Sequence, residues 1–194
     1  MSKKSIRKTF LPILEFMEVK PGMRFADVGA GSGTFTVMMA SLMDSATVYI
    51  QDIDRQVLNE ENVEKMVDFY SQQGSENLRD KVQFHLIIGD TIHSNLPDST
   101  LDLIYTNATI HVFNQPDAMF QDLHKKLKHG GRIFIRDSFK NDHGAGEFCS
   151  DPTCAKPLLS IADFLSLMQK NGFKLLKQSS DMSGYPVFGF TQSD

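Results

Sequence analysis

Apolar residues fall along this chain in two rhythms. Short, nearly unbroken apolar runs read as buried strands. They are "MRFADV" (23–28), "ATVYIQ" (46–51), "KVQFHLIIG" (81–89), "TLDLIYT" (100–106) and "RIFIRD" (132–137). Between them apolar residues recur at helical spacing, which predicts helices over 10–17, 34–43, 55–73, 116–129 and 160–172. In the third of these, Val57, Leu58, Val63, Met66, Val67 and Tyr70 share one face. Polar punctuation supports the bounds. Asp54 is a candidate N-cap and Gly74 a candidate stop, Gly130-Gly131 is expected to end the fourth helix, and Ser160 with Asp163 forms a capping-box pair closed by Gly172.

Strand–helix alternation with buried strands predicts an α/β fold, a parallel sheet covered on both faces. The last two strands, "FKLLKQ" (173–178) and "PVFGFTQ" (186–192), have no helix between them. A link of about eight residues is too short for a parallel crossover, so they are expected to pair antiparallel. No internal repeat or second domain shows, and residues 1–194 read as a single domain with an N-terminal helix within 1–20.

Composition narrows the class. The chain has 194 residues, 41% apolar and 23% charged, with a formal net charge of −4, which argues against a nucleic-acid partner. Two cysteines, Cys149 and Cys154, are too few for a disulfide framework. The N-terminus lacks the features of a signal peptide, and no segment is apolar for long enough to span a bilayer. The expectation is a cytoplasmic protein.

The chemistry concentrates in "FADVGAGSGTF" (25–35), where Gly29, Gly31 and Gly33 follow the first strand. A glycine-rich strand-to-helix turn cradles ligands at the carboxyl ends of parallel strands, although it also occurs as a plain tight turn. Dinucleotide sites favour G-x-G-x-x-G, whereas this turn is G-x-G-x-G preceded by Asp27. Asp52 ends the second strand 19 residues beyond Gly33, close to the spacing of about 20 for a carboxylate that takes ribose hydroxyls. Gly89-Asp90-Thr91 ends the third strand, where an acid can accept from an adenine amino group or simply shape a turn.

With these residues in place, the sequence resembles the class I S-adenosylmethionine-dependent methyltransferases. The resemblance rests on "PGMRFADVGAGSGTFT", "YIQDID", "QFHLIIGDT", "LPDSTLDLIYTNATIHVF" and "LHKKLKHGGRIFIRD". It is nearest the small-molecule branch, similar to quinone-biosynthesis enzymes. It implies a Rossmann-like three-layer sandwich with a seven-stranded, mostly parallel sheet whose last strand is antiparallel. It also implies S-adenosyl-L-methionine as cofactor. Gly29, Gly31 and Gly33 would let the backbone pass its methionine and ribose, and Asp27 would help hold its amino group. Asp52 would take the ribose hydroxyls, Ile53 would pack on the adenine, Asp90 and Thr91 would fix the adenine edge, and Asn107 would lie near the methionine. An acidic rim suits an amine and hydroxyl donors, and would repel a pyrophosphate.

The expected reaction is in-line methyl transfer to a small-molecule acceptor. A general base is needed only if the acceptor must lose a proton. The candidate base is His111 in "TNATIHVF", a residue that could equally pack against or cap the following helix; His143 is a weaker candidate. Residues 138–159 are a candidate acceptor-site loop. The C-x4-C spacing of Cys149 and Cys154, near His143 and Asp151, lacks a second ligand pair, so no metal is expected. The short segment before the first strand suggests an open acceptor pocket. "TNATIH" stands where many enzymes that methylate amide or base nitrogens carry an Asn-Pro-Pro-Tyr type motif, which also argues against a nucleic-acid acceptor. Two other readings are a noncatalytic cofactor-binding module or partner subunit, and a nicotinamide-dependent oxidoreductase, which the glycine spacing and acids disfavour.

Overall fold

The computed structural model describes residues 1–73, 77–140, 157–182 and 184–193. One seven-stranded sheet forms its middle layer, in the order β3-β2-β1-β4-β5-β7-β6. The strands are β1 (Arg24–Val28), β2 (Ala46–Asp52), β3 (Val82–Ile88), β4 (Leu101–Asn107), β5 (Leu127–Arg136), β6 (Phe173–Met182) and β7 (Tyr185–Gln192). Strands β3, β2, β1, β4 and β5 pair in parallel. Strand β7 runs antiparallel to both β5 and β6, as the missing crossover helix requires.

Strand alternation separates two cores. Phe25, Leu103, Tyr105 and Phe134 point to one face and pack with α1 (Lys3–Phe16), α2 (Thr34–Ala40) and α3 (Glu60–Gln73). Ala26, Val28, Ile104, Ile133 and Ile135 point to the other, against α5 (Pro116–Lys126) and α6 (Ile161–Lys170). The second core carries an aromatic cluster in which the Phe164 ring meets Phe139, Phe188 and Phe190 at centroid distances of 4.9, 5.4 and 5.6 Å. Such tilted and edge-on pairs add to area burial.

Element type follows the apolar pattern, and the boundaries shift for local reasons. Helix α3 begins at Glu60 because Asn59 caps it, its Oδ1 accepting from Asn62 N at 3.0 Å. Asp54 instead closes its own turn, accepting from Gln56 N at 2.8 Å. Helix α5 ends at Lys126, and Gly130-Gly131 lies inside β5, whose register against β4 shifts between Leu101 and Leu103. Helix α1 begins seven residues before the expected start, with Ser2 as its N-cap. A short α4 (Leu78–Lys81), absent from the sequence-based expectation, precedes β3. The Ser160–Asp163 cap forms as expected, with Ser160 Oγ accepting from Asp163 N at 3.1 Å.

Candidate active site

The site is built at the carboxyl ends of β1, β2, β4 and β5, where the strand order reverses from β1-β2-β3 to β1-β4-β5. The turn from β1 to α2 holds Gly29, Gly31 and Gly33 at positive φ of 72°, 56° and 77°, conformations that only glycine adopts without strain. The three glycines nevertheless serve different neighbours. A Cβ on Gly29 would overlap the Thr109 side chain, and one on Gly33 would press on Ile50 Cγ2 at 3.1 Å. A Cβ on Gly31 would meet nothing within 4 Å, so this glycine borders open space.

Asp52 latches the turn. Its Oδ2 accepts from Gly31 N at 2.7 Å, and its Oδ1 from Ile53 N at 2.7 Å and Asp54 N at 3.0 Å. A carboxylate offers about four acceptor positions, so acceptor capacity remains for a ligand hydroxyl. Gln51 supports the same turn, its backbone oxygen accepting from Gly29 N and Ala30 N, each at 2.9 Å.

Two cavities flank this turn and share Gly29, Gly31 and Ala108 as wall residues. The smaller, about 230 Å³, is lined by Asp52, Ile53, Asp90 and Thr91, with Val112, Phe113 and Met119 opposite. Asp90 shapes its own loop, accepting from Ile92 N at 2.8 Å and His93 N at 2.7 Å, and these bonds hold its carboxyl below the usual range. Asp90 therefore shapes the turn, and it also lines the smaller cavity.

The larger cavity, about 720 Å³, lies on the α1–α2 side of the sheet. Asp27, Tyr105, Asn107 and Arg136 line it because alternation places them on the face of Phe25 and Phe134. Thr9, Phe10 and Ile13 of α1 form part of its wall. The expected open pocket is therefore covered on one side by α1, and the Phe10 and Phe35 rings stand 6.0 Å apart at its edge. Asp27 is 4% exposed, and its Oδ2 accepts from Thr36 Oγ1 at 2.6 Å. Burial away from water pushes its carboxyl up to about 7; the Thr36 hydroxyl opposes this and the nearby Asp52 charge adds to it. Burial likewise raises the Tyr105 phenol.

His111 sits elsewhere. It lines neither cavity, and its Nδ1 lies 2.6 Å from Asp137 Oδ1. Asp137, 1% exposed, also accepts from the N–H groups of Thr109, Ile110 and Ser138 at 3.0, 2.8 and 2.7 Å. This carboxylate clamps the loop after β4 to the end of β5. A carboxylate accepts, so His111 Nδ1 donates to Asp137 Oδ1. The geometry thus contains both the packing role and an oriented imidazole. Residues 141–156, with most of the candidate acceptor loop and His143, Cys149, Asp151 and Cys154, lie outside the described residues.

Sequence reasoning gave no role to Asp137 or Arg136, although both stand in "RIFIRD" at the end of the fifth strand. Counting alternation back from Arg136 to Phe134 would have placed the arginine on the Asp27 face. Nothing in the sequence announced Asp137 as the receptor for three backbone N–H groups from two segments.

Residues 26–135 match the family described as "Methyltransferase domain". Over 169 residues the chain is 29% identical to phosphoethanolamine N-methyltransferase 3 of Arabidopsis thaliana, covering 87% of this chain and 29% of that protein. It is 26% identical to the arsenite methyltransferase of Aquipseudomonas alcaligenes, covering 78% of this chain and 44% of that one. The chain therefore spans less than half the length of these relatives. The crystal structure of a SAM dependent methyltransferase from Aquifex aeolicus shares the fold, with a TM-score of 0.65 at 20% identity over 98% of this chain and 97% of that one. Among the described residues no helix is long and apolar enough to cross a membrane. The family match, the reversed strand order and the acid-rimmed glycine turn agree: the chain belongs to the class I S-adenosylmethionine-dependent methyltransferases.

Proposed function

We propose that this protein transfers a methyl group from S-adenosylmethionine to a small-molecule acceptor by in-line displacement. One observation carries the reading: two cavities meet at a glycine turn whose rim holds Asp27, Asp52 and Asp90. This set of acceptors fits a sulfonium cofactor bearing an amine, ribose hydroxyls and an adenine amino group. The smaller cavity then takes the nucleoside, with Asp52 accepting from ribose, Ile53 packing on the base, and Asp90 and Thr91 at its edge. The larger takes the methionine and the acceptor, with Asp27 facing the amine and Asn107 beside it. A ligand amine also relieves the desolvated Asp27 carboxylate, so the cavity is prepared for a cation at that end.

The cofactor supplies an already activated methyl, which leaves the chain the tasks of alignment and water exclusion. Phe10, Ile13 and Phe35 give the larger cavity its apolar wall. His111, held by Asp137, lines neither cavity, so it serves as the base only for an acceptor whose reacting group reaches beyond the larger cavity's walls. Relatives named for phosphoethanolamine and arsenite support a small-molecule acceptor in place of a macromolecule. They do not single out the quinone branch.

Calorimetric titration with S-adenosylmethionine and with S-adenosylhomocysteine tests the reading. Micromolar binding is expected, weakened at least tenfold by Asp52→Ala, which removes both the hydroxyl acceptor and the latch on Gly31. Absence of binding by either ligand would sink the proposal. Binding without methylation across an acceptor screen would favour the noncatalytic reading.

A further inference from the structure

Resting on that reading, we propose that the methyl acceptor is a neutral molecule with an apolar, ring-sized body, seated in the larger cavity against Phe10 of α1 and Phe35 of α2. Both helices wall this cavity, and each presents an apolar pair to it. Phe10 and Ile13 stand three residues apart on α1, and Phe35 and Met39 four apart on α2, spacings that put each pair on one face of its helix. Charge is kept off the α1 face. Lys3, Lys4, Arg7, Lys8 and Glu15 are all exposed and none lines the cavity, to which α1 adds only the neutral Thr9.

Phe35 carries the inference furthest. Phe10, Ile13 and Met39 are buried, whereas Phe35 is 56% exposed. Its ring stands 6.0 Å from that of Phe10, tilted by 54°, so part of it has an aromatic neighbour and the rest meets water. An apolar body seated there removes that surface from water, which is favourable. The two charged groups among the described wall residues are already engaged on the sheet side. Asp27 Oδ2 accepts from Thr36 Oγ1, and Asp27 faces the cofactor amine in the reading above. Arg136 donates from Nη1 to Asn107 Oδ1 at 2.6 Å and from Nε to Met182 O at 3.0 Å, with its Cζ 4.7 Å from the Tyr185 ring centroid. A charged acceptor would have to shed its hydration against Phe10, Ile13 and Phe35, which is costly. The volume, about 720 Å³, lies within the roughly 300–1,000 Å³ of small-molecule pockets.

The full-chain protein, loaded with S-adenosylhomocysteine, is titrated by calorimetry with 2-naphthol, 2-naphthoate and phosphoethanolamine. The neutral probe, 2-naphthol, is expected to bind about tenfold tighter or more than either charged one. Phe35→Ala should weaken 2-naphthol by roughly tenfold, and Phe35→Leu, which keeps an apolar side chain, should retain most of the affinity. S-Adenosylhomocysteine affinity is measured on each variant, because Phe35 follows the glycine turn closely. Equal or tighter wild-type binding of 2-naphthoate or phosphoethanolamine overturns the proposal, as does an unchanged 2-naphthol affinity in Phe35→Ala. A parallel loss of S-adenosylhomocysteine and 2-naphthol in Phe35→Ala assigns the ring to the cofactor and overturns it as well. Should Phe35→Ala fail to fold, the comparison of the three probes on wild type still decides. Should wild type not bind S-adenosylhomocysteine, the methyl-transfer reading falls, and the same three titrations on unloaded protein still test the apolar seat.

Discussion

The two ends of the site are made from different materials. At the β1–β2 end the chain builds with backbone, through three positive-φ glycines and N–H groups latched by Asp52 and Gln51. At the β4–β5 end it builds with side chains, where Asn107, Arg136, Asp137 and His111 interlock across strands. A backbone-built half is specified by local sequence. A side-chain-built half depends on which strands become neighbours. The contrast gives three ways to break or sharpen it.

The largest effect is expected at Gly29. Gly29→Ala forces a Cβ into Thr109 at a φ of 72°, so overpacking adds to backbone strain. A loss of about 4 kcal/mol in chemical unfolding is expected. Gly31→Ala, with open space at its Cβ, should lose only about 1 kcal/mol, the strain of its φ, yet weaken cofactor binding by about tenfold or more. Equal destabilisation by the two variants would show that both glycines serve only the fold.

Next comes the side-chain half. Asp137→Ala strands three N–H donors and the His111 ring, and a loss of about 3 kcal/mol is expected. His111→Ala should lose about 1 kcal/mol, since it removes one hydrogen bond and some packing. If His111 removes a proton from the acceptor, turnover falls in His111→Ala while cofactor affinity stays within twofold of wild type. Unchanged turnover would leave His111 a packing residue.

Asp27 comes last, because its stability effect depends on pH and vanishes near pH 4. Burial pushes its folded carboxyl up to about 7, above the ordinary 3.8, so the unfolded chain releases this proton first. The ligand-free fold therefore loses stability as pH rises from about 4 to about 7, and regains it below. The shift sets a ceiling of roughly 4 kcal/mol, and relaxation is expected to reduce it to roughly 2. Asp27→Asn should raise the melting temperature of the ligand-free protein at pH 8 and leave it unchanged near pH 4. The same substitution should weaken S-adenosylmethionine. In wild type, cofactor affinity should rise with pH through 7, as the carboxylate forms. A melting profile of Asp27→Asn that parallels wild type at both pH values would refute the buried-carboxylate account.

The sheet was legible because its strands are covered on both faces and so read as apolar runs. Errors gathered where side chains compete for backbone. Asp54 and Asn59 are both able caps, and only the chain's path decides that Asn59 starts α3 while Asp54 closes a turn. Gly130-Gly131 reads as a helix stop, yet β4 draws the preceding residues into β5 by offering Leu101 as a partner for Leu127. The expected loop of about eight residues between β6 and β7 is shorter, because cross-strand pairing carries β6 on to Met182 and starts β7 at Tyr185.

By itself the sequence determined the α/β class, the antiparallel ending, the acids at three strand ends and the glycine turn between β1 and α2. These depend on periodicity and on residue types a few positions apart, quantities a linear chain carries. Tertiary structure alone decided that Gly29 is shaped by Thr109 and Gly31 by open space. It also brought Asp137 under the loop of His111 and set Arg136 across the cavity from Asp27. Those pairings of place join residues 26 to 109 positions apart in the chain. They arise because strand order, not sequence order, sets which side chains meet, and because alternation along each strand sends them to one face or the other.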